Sequence, residues 1–561
     1  MKGKDAVEMF KRWALYFFPY DEPKGGRPSA VQTVLFGFLL VVALCLSLKD
    51  YESFQLGTYR DDSCYVVLAE SIAFHGDYGL IHVPGDPHPT HYPFGFPWLL
   101  SPFAKAFPDD PGSMKWLSLG ATLLNAFLLF WGWPHLSRSR SFWWGLGIAA
   151  LYLVSPVVVG HTRMVMSEPI FTSLLLLGLI LCERYLAGLP SRPLAHFLAG
   201  IVAFFAFAVR GIGITLIAAI GVRVLMLPVS FASKAKRLLF FVLGGIFLFL
   251  VAMATTPVTF HDLIPTEYAA KFGDSEVWGE PGIEEKMIPR MMGAVRDYTK
   301  QHVKEMILPI GGGQRERELG RRLGVPHLPL LTGIAIGAMV FLGHLSLWRK
   351  RGLEPSATVL EFSYLGVLLI WPWRGGRFLY PFQPFLVYYA LWGVKLLVGG
   401  VRHFRFIPVH MKPILVNGSG AAFFTLLLLL SLYKSFSEDR DSLQYVRDLR
   451  VGSTWLRQNS PPDAVVMAEQ PQSIYLYSRR KTVLIPRVSS LEEFRSHLDE
   501  EDIQYLLVAP EVEWRQDGEL VYSDYTRQKV LPWVEELLSS GQAARVYQSE
   551  EDKVDVYRVG P

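Results

Sequence analysis

The chain has 561 residues, 51% of them hydrophobic, 14% aromatic and only 19% charged, and its mean hydropathy is +0.25. That balance fits a membrane protein with many spans and some soluble mass. A formal net charge of +4 and three scattered cysteines, Cys45, Cys64 and Cys182, argue against a nucleic-acid partner, a disulfide framework and a CxxC zinc site.

Residues 1–28 are polar and basic, with Lys2, Lys4, Lys11, Arg12, Lys24 and Arg27. They read as a cytoplasmic N-terminal segment. Ser29 to Leu48 is long enough to cross the bilayer, since roughly 20 residues span the ~30 Å core, and reads as a retained anchor rather than a cleaved signal. An outer loop then covers 50–112. Further spans are predicted over Met114–Trp133, Phe142–Val159 and Ile170–Cys182. Ala195–Leu227 is broken by Arg210, Gly211 and Gly213, which suggests two short helices with Arg210 at an outer turn. Leu238–Thr256 leads to a second outer loop, 258–327. Leu328–Leu347, Val359–Trp373, Leu379–Val398 and Ile414–Tyr433 complete a polytopic α-helical domain over 29–433, with about eleven transmembrane helices. Short basic loops, the strongest being Trp348-Arg349-Lys350-Arg351, fall on one side throughout and support the orientation. Residues 434–561 lack long apolar runs. Strands at Val465–Ala468 and Tyr505–Ala509, alternating with amphipathic helices at Leu491–Leu498 and Val530–Leu538, predict a small C-terminal α/β domain. The topology makes it extracytoplasmic.

The first outer loop carries adjacent carboxylates, Asp61 and Asp62. The apolar residues Val66, Val67, Leu68, Ile72 and Phe74 predict a helix over Ser63–Phe74 lying along the membrane surface. An acid just before a helix is also a good N-cap. The stretch Pro87 to Trp98 is stiff and aromatic, suited to an interfacial belt or to a wall for lipid or sugar. Its His88 and His91 are three apart, but flanking prolines disfavour a helical metal pair. No metal-ligand spacing and no cofactor motif is found. Further outer turns supply Arg163, Glu168, Arg210, Arg374 and Arg377. Each has an ordinary reading as a snorkelling cation or a first-turn acid. Their convergence on one face instead points to a site where forked guanidinium donors meet a phosphate and a carboxylate takes a proton.

Asp61-Asp62-Ser63-Cys64-Tyr65 followed by Gly76-Asp77-Tyr78 resembles the Asp-Glu-x-x-Tyr…Gly-Asp signature of GT-C glycosyltransferases, in the branch of protein O-mannosyltransferases and lipid A aminoarabinose transferases. Tyr92-Pro93-Phe94-Gly95-Phe96-Pro97, Ser167-Glu168-Pro169, the Arg210-bearing helix break and Arg377-Phe378-Leu379-Tyr380-Pro381-Phe382-Gln383-Pro384 are similar to further motifs of that branch. The chain departs from it at Asp62 (Glu in the family), Phe378 (Tyr) and Tyr92 (Pro). The resemblance implies a GT-C fold and inverting, metal-independent transfer from a polyprenyl-phosphate-linked sugar outside the cytoplasm. The acceptor would be a lipid, glycan or protein hydroxyl. Apart from the resemblance, the compact loops and the soluble tail favour a bacterial inner membrane with the site facing the periplasm, and an endoplasmic-reticulum membrane with the same face luminal stays open as the alternative. The resemblance makes Asp61 the expected base, with Asp62 or Glu168 orienting acceptor or sugar. Arg210, Arg374 and Arg377 would hold the phosphate, and Tyr65, His91, Tyr92, Arg163 and Tyr380 would contact substrate. Two other readings stand beside it. A transporter of polyprenyl-linked lipids would show repeat symmetry and mid-membrane charges. A non-catalytic scaffold would share the fold without the chemistry.

Overall fold

The computed structural model describes residues 27–49, 51, 56–57, 61–89, 92–138, 141–188, 192–256, 258, 287–308, 320–322, 324–325, 327–371, 374–400, 411–437, 442–510, 522–549 and 553–560. Among them, five helices are long and apolar enough to cross a membrane. A sixth span arises if Phe142–Leu153 and Pro156–Thr162, bent by 66° at their junction, count as one. Four shorter apolar helices, Pro193–Val209, Gly211–Leu225, Pro355–Ile370 and Ala421–Phe436, lie among them. The expected eleven spans therefore do not all reach the ~20-residue length.

Local chemistry explains the helix ends. The first helix, Ala30–Leu48, starts with a capping box: Ser29 Oγ accepts from Gln32 N–H, and the Gln32 side chain accepts from Ser29 N–H at 2.8 Å. Pro156, Pro193 and Pro355 each open a helix, where a missing N–H costs nothing. Helices Pro193–Val209 and Phe231–Thr255 approach closely through Gly200 and Gly244. A Cβ at either would strike the backbone carbonyl of Phe241 or Phe197. The outer face of Phe231–Thr255 leaves Ile246, Phe247 and Leu250 about half exposed. Such a stripe on long apolar helices marks a lipid-facing surface, and the chain is a membrane protein.

The C-terminal region forms one five-stranded sheet, β1 (Val465–Ala468), β2 (Lys481–Leu484), β3 (Ile503–Val508), β4 (Ala543–Ser549) and β5 (Val554–Val559), in the order β2-β1-β3-β5-β4. β1 runs parallel to β2 and β3, while β5 is antiparallel to β3 and β4. Alternate residues of β1 serve opposite faces. Val465 and Met467 pack with Phe494 and Trp533, and Val466 and Ala468 pack with Leu449 and Leu456.

This region docks directly on the first outer loop. Thr482 N–H donates to His82 O at 2.6 Å, and Lys481 reaches Ile81 O at 2.8 Å and the Asp86 carboxylate. The helix Pro471–Ser478 packs against a helix at Asp61–Glu70. The second helix was expected to lie along the membrane surface over Ser63–Phe74, and here the structure corrects the sequence. It starts at Asp61, gives way to a π turn at Ser71–His75, and is buried from Asp62 to Glu70. Its amphipathic pattern faces protein on both sides: Gly95–Ala106 covers one and the C-terminal region another.

Arg479 caps the Pro471–Ser478 helix in the left-handed region, at φ 55, where glycine is usual. It is held there by a bidentate pair with Glu70, at 2.6 and 3.1 Å. Arg479→Ala should loosen this junction by about 1.5–3 kcal/mol. Amide exchange should accelerate in 61–75 and 471–484, and Arg479→Lys should restore only part of the loss because lysine has no fork.

His82 at the same junction gives a pH dependence. Burial, helped by nearby Lys481 and opposed by Asp86, lowers its imidazole from 6.5 to about 4. Between those values the unfolded chain binds the proton and the folded chain does not. Stability is therefore full above the unfolded value and falls as pH drops toward 4, by about 3 kcal/mol in total. Proteolysis at the junction should increase from pH 7 to pH 4.5, and His82→Phe should flatten the change.

Candidate active site

Asp61 stands at the first turn of the buried helix with its side chain about a quarter exposed. Tyr92 donates to Asp61 Oδ1 at 2.9 Å, and Arg377 Nη1 donates to Oδ2 at 2.6 Å. Tyr92 is itself fixed, because Tyr78 OH donates to its carbonyl at 2.7 Å. The phenol of Tyr92 is pushed well above its ordinary range by burial, with Cys64 and Asp61 adding to it, so it stays a donor to the carboxylate. Burial opposes the charge on Arg377, but the Asp61 carboxylate more than offsets this and raises its guanidinium above the usual value.

The neighbouring Asp62 points elsewhere. It is fully buried, accepts from Gly57 N–H at 3.0 Å and Ser63 N–H at 2.8 Å, and so organises the turn before the helix. Gly57, at φ 109, permits that turn, and a Cβ there would meet Ser473 Oγ at 2.8 Å. Ser473 also shares a 2.9 Å hydrogen bond with Ser63. The two adjacent acids are thus divided: Asp61 faces the charged cluster, and Asp62 faces the seam with the C-terminal region.

Arg210 sits in extended conformation between Pro193–Val209 and the turn Gly211–Gly213. Its Nη1 lies 2.7 Å from Glu168 Oε1 and donates to Ser167 Oγ at 2.9 Å. Glu168 is buried at the start of Glu168–Leu181, and neither carboxylate oxygen receives an aligned hydrogen bond among the described residues. Ser167 Oγ also lies 3.3 Å from Tyr65 OH, and the Tyr65 ring stands edge-on to Tyr92 and Phe96. The Phe378 ring lies near both guanidinium groups, 5.9 Å from Arg210 and 5.2 Å from Arg377. The result is a contiguous array, Asp61–Arg377–Phe378–Arg210–Glu168, in which two carboxylate–guanidinium pairs meet across an aromatic spacer with their guanidinium groups facing it.

Tyr380 lies beneath this array. It is fully buried, shares a 2.9 Å hydrogen bond with Tyr152, and packs at 4.5 Å on the His161 ring. Asn125 continues the chain to Tyr152 and to Pro169 O, tying the start of the Glu168 helix to Tyr380. The described contacts of two predicted arginines lie apart from it. Arg163 donates to Leu46 and Ser47 carbonyls at the end of the first helix. Arg374 pairs with Asp297 at 3.0 Å and bonds Arg290 O. His91 falls outside the described residues. Sequence reasoning missed Ser167, Phe378 and His161 as members of the site. His161 Nδ1 donates to Val157 O at 2.7 Å, which leaves Nε2 as the acceptor nitrogen beside Tyr380.

No protein-family model matches the chain, and no curated protein matches it. Solved structures do. ArnT from Cupriavidus metallidurans in the apo state aligns over 95% of this chain and 100% of its own, at 11% identity and a TM-score of 0.51. The Archaeoglobus fulgidus oligosaccharyltransferase in the apo form aligns over 85% of this chain and 69% of its own, at 14% identity and a TM-score of 0.51. Both are GT-C enzymes, and the chain resembles them in fold.

Proposed function

We propose that the protein is an inverting glycosyltransferase that moves a sugar from a polyprenyl-phosphate donor to an acceptor hydroxyl, on the outer face of a bacterial inner membrane. The observation that carries this is the Asp61 carboxylate, partly open, held by Tyr92 and Arg377 and linked through Phe378 to the Arg210–Glu168 pair. The sidedness of the basic loops and the shared seam between the C-terminal sheet and the Asp61 loop support the outward placement.

The chemistry is as follows. Asp61 takes the proton of the acceptor hydroxyl as its oxygen bonds to the anomeric carbon. The bond from that carbon to the phosphate oxygen breaks, and the electron pair leaves with the phosphate. A sugar phosphate already carries a good leaving group, so the demand falls on the base and on stabilising the departing charge. Arg377 and Arg210 are placed for the second task. A phosphate reaching Arg377 also competes with Asp61 for its guanidinium, which frees the carboxylate to accept a proton when donor is bound. Glu168, with unfilled acceptor capacity beside Arg210, suits a sugar hydroxyl.

The test is transfer by the purified full-length protein in nanodiscs, supplied with a panel of polyprenyl-phosphate sugars and hydroxyl acceptors, beside Asp61→Asn. Product formation by the unmodified chain alone supports the reading. Movement of labelled lipid between leaflets with no product would favour a transporter.

A further inference from the structure

Arg374 stands three residues before Arg377, yet its guanidinium meets a different part of the chain. Nη1 donates to Asp297 Oδ2 at 3.0 Å and Nη2 to Arg290 O at 3.2 Å. Both acceptors lie on Met287–Asp297, a helix of the second outer loop that continues through Tyr298–His302 into Val303–Ile307. That helix meets the guanidinium at Gly293. A Cβ there would stand 2.6 Å from both Nη atoms, so the absence of a side chain lets the helix backbone lie this close. Asp297 is steadied in turn by Arg296, whose Nε donates to the other carboxylate oxygen at 3.0 Å. The same helical segment holds the far end of the turn Gly376–Phe382, where Gln383 Nε2 donates to Met306 O at 3.0 Å. The stretch that carries Arg377 is therefore pinned on both sides by one element.

The pinning matters because of what lies between. Gly375 and Gly376 separate the two arginines, and neither has a side chain to limit its backbone. With no donor bound, Arg377 is aimed by its 2.6 Å bond to Asp61. A phosphate that draws the guanidinium off Asp61 removes that restraint just when the departing charge must be held. The backbone must then do the aiming. We propose that Asp297 and Arg374 are positioning residues: their ion pair clamps the Gly375-Gly376 link and so presents Arg377 to the donor phosphate. The inference rests on the transferase reading for the role of Arg377 and adds two residues that act through it. It also reassigns Arg374, from a phosphate contact to the residue that places one. A purely architectural pair fits less well. The Arg374 and Asp297 side chains are 22% and 31% exposed, and ion pairs open to water contribute little to stability.

Gly293→Ala isolates the clamp. Alanine suits a helix interior better than glycine, and its methyl strikes the end of a flexible side chain, so the Arg374 guanidinium moves and the helix stays. Asp297→Asn removes the charge instead. Binding of undecaprenyl phosphate, with undecaprenol as the uncharged control, is measured on the full-length protein in nanodiscs, alongside thermal unfolding. Arg377→Met should weaken undecaprenyl phosphate binding about tenfold or more, the worth of one hydrogen bond to a charged group. Gly293→Ala and Asp297→Asn should each weaken it about fivefold, a part of that contribution, with undecaprenol binding and the unfolding temperature unchanged. In the Arg377→Met background neither should weaken it further, because the clamp acts only through Arg377. Unaltered phosphate affinity in either single variant, an equal loss for undecaprenol, or the same losses with Arg377 already replaced overturns the proposal. So does unmodified protein that fails to bind undecaprenyl phosphate. The readout needs no turnover. Clamp-dependent binding with no sugar transfer would refute the transferase reading alone, and transfer with binding that ignores the clamp would refute the clamp alone.

Discussion

Asp61→Asn should lower the rate of sugar transfer by about 10²–10⁴-fold, the usual contribution of a positioned general base. The substitution is nearly isosteric, and the amide oxygen can still accept from Tyr92 at the geometry that Asp61 Oδ1 now occupies. What disappears is the ability to take a proton and the charge that engages Arg377. Those losses act in opposite directions on the donor. Without a carboxylate partner, Arg377 is freer to meet a phosphate, so donor affinity should stay the same or rise. The expected signature is thus a fall in kcat with an unchanged or lower donor Kd, which separates loss of chemistry from loss of fold. Equal transfer by the Asn variant and the unmodified protein would remove Asp61 from the mechanism.

Much of this site could be read in the sequence because its members sit at breaks in strong hydropathy patterns. Asp61 follows the first span, Arg210 interrupts an apolar run, and Glu168 precedes a helix-starting proline. Such positions are visible without tertiary information. Partners are not. Arg163 and Arg377 look alike as outer-turn cations, yet one reaches carbonyls 116 and 117 residues away and the other a carboxylate 316 residues away. Nothing local distinguishes them. The same limit applies to the helix after Asp61. Its apolar residues say that it is buried against something, and the sequence pattern cannot tell lipid from protein. The Ser63–Ser473 and Glu70–Arg479 contacts, some 410 residues apart, decide for protein. In the C-terminal region β1 and β3 were legible as apolar runs, with burial on both faces. β2 opens on the polar Lys481 and Thr482, β4 is largely polar, and both are edge strands, so neither gives the apolar signal of β1.

Arg210→Ala should destabilise the protein by about 3–5 kcal/mol, because it strands the buried Glu168 carboxylate without the guanidinium in contact with it. Both partners are well buried, with side-chain exposures of 16% and 1%. The informative experiment is the pair of replacements together. Arg210→Met with Glu168→Gln removes both charges at similar volume, and buried ion pairs replaced in this way are often no less stable. Unfolding in nanodiscs should therefore show a large loss for Arg210→Ala and a small one for the double variant. Transfer should be lost in both. That combination would mean that stability does not account for the pair, and that its cost in desolvation is borne for binding the donor. A stable double variant with full activity would reverse the argument. It would leave Arg377 as the phosphate contact and reduce the Arg210–Glu168 pair to an architectural joint between two helices.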